Sequence, residues 1–326
     1  MTTIVAGIDE AGFGPVLGPM VVSATVFQMP IELLNVSMWQ ALAGAVCRKP
    51  SSKRRGMIAI GDSKKLYSGL RGGGGLEHLE RGVLSMLAAT GERPATLEAL
   101  LAAVSPGTAD KARACPWYQR LDLPLPRDIT AAGLALDCNS IQARLADAGI
   151  KPLAMRSEII LESEFNRLVT ASDNKSALLF DVASRLLEHV WRKMPRTQCA
   201  HIFVDHQGGR VHYREGLMRV FDGCQFKVND ESETRSSYTL FDADRTLEIE
   251  FLVQAEDRHL PVAMASMLCK YVRELFMGVY NKYWATHLPN LAPTAGYYTD
   301  GRRFFAQIQP IIQNLGLDAN MLYRCR

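Results

Sequence analysis

The sequence predicts an α/β fold: a mixed central β-sheet flanked by helices, with a mainly helical segment inserted into it. Three observations lead there. Between Ile4 and Phe27 two apolar, β-branched runs flank a knot of acid, glycine and proline, as two strands joined by a turn would. Cys199-Ala-His-Ile-Phe-Val-Asp205 is an apolar run ending in one acid, the pattern of a buried parallel strand that delivers a carboxylate to a cleft. From Glu162 to Lys193 the apolar residues return at helical spacing.

With 326 residues, 48% of them apolar, the chain can bury a large core in one big or two modest domains. A net charge of +3 excludes a wholesale polycation but leaves room for a local nucleic-acid track. Arg48 to Arg55, five of whose eight residues are basic, is such a track or else a solvated loop. The seven cysteines form no C-x-x-C pair, so neither a disulfide framework nor a zinc site is expected, and a reducing compartment fits. With no signal-like segment and no long apolar run, a soluble cytoplasmic protein with no membrane contact is the expectation.

Taken in order, the first strand ends in Asp9 and Glu10, two adjacent carboxylates that a solvated strand hardly needs. Held about 4 Å apart they repel by roughly 4 kcal/mol at an effective dielectric near 20, so either one is protonated or a cation neutralises them. A regular strand sends neighbours to opposite faces, so convergence calls for a break in the pleat near Ala11 and Gly12. An ordinary acidic turn is the alternative. Gly12, Gly14 and Gly18 do not make a dinucleotide site, because their spacing is G-x-G-x-x-x-G, a strand follows, and the acids would repel phosphates.

A helical stretch is expected around Ile31 to Val46, and then the turn Asp62-Ser63-Lys64-Lys65-Leu66, whose serine and lysines can hold a phosphate or simply face solvent. Gly72 to Gly75 read as a hinge. From there to about Ile150 come helices at Leu76 to Thr90 and Thr96 to Val104 and a proline-rich stretch in which Trp117 and Tyr118 either stack on bases or pin the loop to the core. A short strand is expected at Ala154 to Leu161. Ser172-Asp-Asn-Lys175 should then split the following pattern into two helices or bend it, and further strands fit Ser237 to Phe241 and Thr246 to Val253. Next come the adjacent acids Glu256 and Asp257, either of which can serve a site, and a helix with small residues at Ala263, Ala265 and Ser266 that can lie close on the sheet. From Phe304 to Arg326 the tail reads as one amphipathic helix and a short coil.

Gly7-Ile8-Asp9-Glu10-Ala11-Gly12-x-Gly14-Pro15-x-x-Gly18-Pro19-x-Val21-Val22 resembles the opening signature of the type 2 ribonuclease H family, ribonucleases HII and HIII. Asp62-Ser-Lys-Lys-Leu66, the strand ending at Asp205, the A-x-A-S-x-x-x-K helix and Gly296-Tyr297-x-Thr299 resemble its later segments in order. The resemblance implies an RNase H-like fold over the whole chain, as a single catalytic domain 1–326 with residues 72–150 as an insertion or small subdomain. It implies Asp9, Glu10, Asp205 and Glu256 as catalytic residues and as ligands of two Mg²⁺ or Mn²⁺ ions. The family places its fourth acid ten residues before the serine, which selects Glu256 and leaves Asp257 in reserve. Gly12, Phe13, Gly14, Ser63, Lys64, Lys65 and Tyr297 are then the candidates for contact with an RNA/DNA hybrid, whose RNA strand would be cut to 5′-phosphate and 3′-hydroxyl ends. Protein partners are not legible.

The chain departs from the family's pattern in several places. Phe13 stands where ribonuclease HII has the arginine of Gly-Arg-Gly, which puts cutting at a single embedded ribonucleotide in doubt. His206 replaces a glycine and reads as a solvent-facing loop histidine; Arg302 replaces a histidine. Glu256 and the wording A-E-x-x-H-L-x-V-A-x-A-S lean toward ribonuclease HIII, but six residues before Gly7 leave no room for that type's leading substrate-binding domain, so the insertion is expected to grip the hybrid instead. Two rivals remain: a different metal nuclease on the same fold, such as a junction resolvase, and a non-catalytic binder of hybrids.

Overall fold

The computed structural model describes residues 1–54, 56–67, 75–172, 174–194 and 199–325. Gly72 to Gly74 of the expected hinge, and Arg55 of the basic run, lie outside the described residues.

The strands are β1 (Thr2–Ala11), β2 (Met20–Pro30), the two-residue β3 (Val46–Cys47) and β4 (Ile58–Ala59), β5 (Lys151–Ile160), β6 (Cys199–Asp205), β7 (Gln225–Glu231), β8 (Arg235–Asp242) and β9 (Arg245–Leu252). Seven form one sheet in the order β5-β2-β1-β6-β9-β8-β7, while β3 and β4 pair separately. At the centre β1, β6 and β9 run parallel, and antiparallel pairs complete the sheet on both sides. The fold is therefore mixed α/β, as the alternation of apolar runs and helical periods predicts.

Both faces of β1 and β2 are covered, which is why these strands read as near-continuous apolar runs, whereas β9 alternates apolar residues with Glu248 and Glu250. Ile4, Ala6 and Ile8 of β1 share a core with Leu178, Val182 and Leu186 of the Lys175–Lys193 helix. On the opposite face lies the 28-residue Leu260–His287 helix. Gly7 lets it approach: a Cβ there would sit 2.1 Å from the Val262 nitrogen. Helices Glu77–Ala89, Leu97–Val104 and Ala131–Asp147 of the inserted segment share one core with this long helix, which includes Leu79, Val83, Leu100 and Ile141 together with Leu268 and Tyr271. Trp117 and Tyr118 are fully buried within it, so of the two readings offered for them the structure takes the pinned loop.

One expectation about the elements needs correcting, and one strand was not foreseen. Between Ile31 and Val46 there is only a turn at Ile31–Leu33 and a one-turn helix at Met38–Ala41, because Ser37 starts the latter and Gly44, at φ +95°, turns the chain away. Strand β7 was not legible: it is an outer strand whose side chains are mostly exposed, so its polar residues carry no alternation. The split after Ser172 gives two helices, Glu162–Ser172 and Lys175–Lys193, with Asn174 capping the second. Among the described residues no helix is long and apolar enough to cross a membrane.

Candidate active site

Asp9 and Glu10 close β1, and Asp205 closes its parallel neighbour β6. The β1–β6 register ends at Ile8 against Val204, so one further step sets Asp205 beside Asp9. One carboxylate oxygen from each of Asp9, Glu10 and Asp205 lies within 4.8 Å of the others. The break expected near Ala11 and Gly12 comes at Gly12, which turns at φ +83°, while β1 stays in register with β2 through Ala11 and Val21. The acids meet where β6 ends beside β1, at the end of the parallel ladder.

Glu256 comes from the turn Ala255–Asp257 that links β9 to the long helix, and this turn is tied to the cluster by the Ala255 amide, which donates to Asp205 Oδ1 at 3.1 Å. Glu256 lines the same cleft and interacts with Asp205; its Oε2 is buried without a hydrogen-bond partner. Asp257 points elsewhere. Its side chain is half exposed and faces Lys65 at 3.6 Å.

All four carboxyl groups are held above their ordinary pKa. Burial, then the charges of Glu10 and Asp205, raise Asp9, against an opposing hydrogen bond from Ser266. Burial and Asp205 push Glu10 up to about 7, and the same two causes push Glu256 up to about 7. Burial also raises Asp205, offset by the Ala255 amide. Lys64 is the cation that works the other way, favouring the charged forms of Glu10 and Asp205. Pairs of charges within 4.8 Å repel by roughly 3 kcal/mol at an effective dielectric near 20, so one lysine cannot make a fully ionised cluster comfortable. An all-carboxylate donor set with an unpartnered buried oxygen fits a hard divalent cation.

The cleft is about 220 Å³ and is lined by the four acids, Gly12, Phe13, Gly14, Asp62, Ser63, Lys64, Ser266, Lys270, Arg273 and Tyr297 among others. Of the residues expected to touch nucleic acid, Gly12, Phe13, Gly14, Ser63, Lys64 and Tyr297 are thus brought together. Lys65 is not in this lining; it is paired with Asp62 at 3.0 Å and Asp257 at 3.6 Å. Ser63 is buried and shares a hydrogen bond of 3.0 Å with Ser266, so its hydroxyl serves the wall beneath Asp9. Tyr297 is 52% exposed at the mouth, free to present its ring. His206 does not face solvent as expected: it is half-buried, edge-on to Tyr213 at 6.5 Å, with Nε2 unpartnered. Arg302 lies outside the cleft lining and donates to Tyr298 at 2.9 Å.

Residues far apart in the sequence fix the loop from Gly12 to Pro19. Arg273, on the long helix, donates to the carbonyls of Pro19 (2.8 Å), Leu17 (3.1 Å) and Ala295 (2.9 Å). The Glu162 carboxylate accepts from the Gly18 amide at 3.1 Å and from the Tyr118 hydroxyl at 2.7 Å. The Gly296 carbonyl accepts from Val16 at 2.8 Å and Leu17 at 3.2 Å, which joins the loop to the segment carrying Tyr297. A side chain at Gly296 would strike the Leu17 carbonyl, at 2.4 Å.

Sequence reasoning missed Lys270, Arg273, Glu162 and Arg324 as parts of this region. Lys270 was findable, since it falls on the lysine of the A-x-A-S-x-x-x-K segment; it bonds Glu274 and lies 4.5 Å over the Tyr67 ring, and Tyr67 donates to Glu274 at 2.8 Å. Glu162 and Arg324 carry no local signal, because the groups they hold in the loop are backbone atoms distant in sequence.

No family model and no curated protein matches the sequence. Among solved structures, the chain is similar to the ribonuclease H2 of Pyrococcus horikoshii OT3, at 14% identity and a TM-score of 0.44, over 98% of this chain and 92% of that one. It is similar to the ribonuclease HII of Archaeoglobus fulgidus in its complex with PCNA, at 13% identity and a TM-score of 0.40, over 99% and 94% of the two chains. It is also similar to Bst-RNase HIII in complex with Mn²⁺, at 13% identity and a TM-score of 0.41, over 99% of this chain and 66% of that one.

Proposed function

We propose that this chain is a type 2 ribonuclease H, an endoribonuclease that cleaves the RNA strand of RNA/DNA hybrids with the aid of divalent metal ions. The observation that carries this reading is the meeting of Asp9, Glu10 and Asp205 within 4.8 Å, with Glu256 in the same cleft, at the positions where the sequence matches the family's motifs.

Asp9, Glu10, Asp205 and Glu256 are the residues to hold two Mg²⁺ or Mn²⁺ ions. Such ions lower the pKa of an attacking water and offset the charge on the leaving 3′ oxygen, giving 5′-phosphate and 3′-hydroxyl ends. The protein's own residues do the rest. Ser266 and the Cys269 thiol, which donates to the Asp9 carbonyl at 3.1 Å, hold the end of β1 in place. Lys64 lies near enough to the acids to favour their charged forms and stands ready for a backbone phosphate. Tyr297, exposed at the rim, offers a ring to the sugar or base beside the cut. The 2′-hydroxyl, which distinguishes RNA from DNA, would be read at the Gly12-Phe13-Gly14 tip.

The test is Mg²⁺-dependent cleavage of a labelled RNA/DNA hybrid, with Asp9→Asn as control. Equal cleavage of an all-DNA duplex would favour a different nuclease on this fold, and binding without cleavage would favour a non-catalytic hybrid binder. Because Phe13 brings no charge to the tip, a full hybrid should be cut faster than a duplex with one ribonucleotide; the reverse order would refute this preference.

A further inference from the structure

A fully buried residue that no step of the proposed reaction uses fastens the tip of this loop from beneath. Arg324 is 0% exposed, and its guanidinium lies 3.7 Å over the ring of Phe165. Nη1 donates to the carbonyl of Gly12 and, at 3.4 Å, to that of Gly18; Nη2 donates to the carbonyl of Phe13 at 3.1 Å. The Arg324 amide donates to the Val16 carbonyl at 2.8 Å. A buried guanidinium must find acceptors in a fixed fork geometry, and here the loop's own carbonyls supply them to both Nη atoms, while Nε has no hydrogen-bond partner.

The direction of two peptide groups follows. In a trans peptide the C=O and N–H point opposite ways. The Gly12 carbonyl shares its peptide unit with the Phe13 amide, and the Phe13 carbonyl shares the next with the Gly14 amide. Since both carbonyls are drawn to Arg324, both amides point away from it, and among the described residues neither donates to an acceptor. Gly12, Phe13 and Gly14 all line the cleft that holds Asp9 and Glu10.

Resting on the proposed function, we infer that Arg324 is a positioning residue for the substrate strand: by holding two carbonyls inward it presents the amides of Phe13 and Gly14 to sugar and phosphate oxygens. Arg273 also lies beside Gly12, but both of its Nη atoms are already engaged by the carbonyls of Pro19, Leu17 and Ala295. Arg324 is itself held by Asn166, whose Nδ2 donates to the carbonyls of Asn320 (2.9 Å) and Tyr323 (2.8 Å) and whose Oδ1 accepts from the Cys325 amide at 2.7 Å. The segment 320–325 thus acts as a strap from the Glu162–Ser172 helix to the loop.

The experiment compares the wild type with Arg324→Lys, which keeps the charge but loses the planar fork, and with Asn166→Ala, which loosens the strap while leaving the arginine in place. Three quantities are read: KM and kcat on the hybrid with Mg²⁺, Mn²⁺ affinity by titration, and hydrogen exchange of peptides covering residues 11–19. In Arg324→Lys, KM should rise about tenfold, the worth of one oriented charge-assisted bond, while kcat stays within about threefold. Its Mn²⁺ affinity should hold and its loop exchange should quicken, and Asn166→Ala should move KM and loop exchange in the same directions, less far, with Mn²⁺ affinity again unchanged. Unchanged KM and loop exchange in both variants overturns the inference, as does a loss of Mn²⁺ affinity as large as the change in KM, which would mean that the acids themselves had shifted. A wild type that does not cleave hybrids ends the proposed function, and loop exchange, which needs no substrate, then judges the clamp by itself.

Discussion

Neutralising Glu10 should make the metal-free protein more stable above neutral pH, and the size of the gain follows from the site. In the folded chain burial and Asp205 push the Glu10 pKa from 4.5 up to about 7, so the folded state holds this proton more tightly than the unfolded one. The sign is the reverse of a salt-bridged carboxylate: the contribution is intact below about pH 4.5 and is lost as pH rises toward 7. A gap of about 2.5 pH units at about 1.36 kcal/mol each makes the loss about 3 kcal/mol. At about 2.1 cal/mol/K per residue the unfolding entropy of 326 residues converts 1 kcal/mol into roughly 1.5 °C, so the melting temperature should fall by about 5 °C on this account. Thermal unfolding from pH 5 to 8 in EDTA reads it directly. Glu10→Gln should flatten the fall, and Mg²⁺ or Mn²⁺ should reverse it in the wild type but far less in the variant. A wild-type melting temperature in EDTA that is level or rising over this range, or a variant with the same slope as the wild type, refutes the account of a cluster made tolerable by cations.

The adjacent acids should part company: Glu256→Gln is expected to cut kcat on a hybrid by about a hundredfold or more, whereas Asp257→Asn, at a half-exposed residue paired with Lys65, should cost less than about threefold. Tyr297→Ala should weaken hybrid binding by about 1–3 kcal/mol and Tyr297→Phe should restore it, as affinity measured in Ca²⁺ will tell, if the exposed ring stacks. Gly7→Ala sets a methyl group 2.1 Å from the Val262 nitrogen and 2.2 Å from the Pro261 carbonyl carbon. Both contacts are backbone, so the long helix must shift, at a cost of about 3 kcal/mol in denaturant unfolding; an unchanged midpoint would falsify the tight strand–helix contact.

Much of the architecture was present in the order of the residues. The run ending at Glu10 is buried almost throughout, and the one ending at Asp205 alternates buried and half-buried residues; each reads as an inner strand with an acid at its end. The helix from Leu260 announces itself through Ala263, Ala265 and Ser266, whose small side chains are a direct imprint of close packing on the sheet. These are local patterns, set by period and volume, and a single sequence carries them. Strand β7 left no such pattern, since its mostly exposed side chains are under little apolar constraint.

What the tertiary structure alone decided is how the acids meet and what holds the loop beside them. Convergence of Asp9, Glu10 and Asp205 depends on where β6 stops relative to β1, a matter of register between strands about two hundred residues apart. The choice between Glu256 and Asp257 as the acid of the cleft depends on the direction of one short turn. Arg273, Arg324 and Glu162 grip backbone atoms, which every residue possesses, so no residue type in the loop betrays its partners. Side-chain chemistry is written along the chain, but the pairing of a buried charge with a distant main chain exists only once the chain has folded.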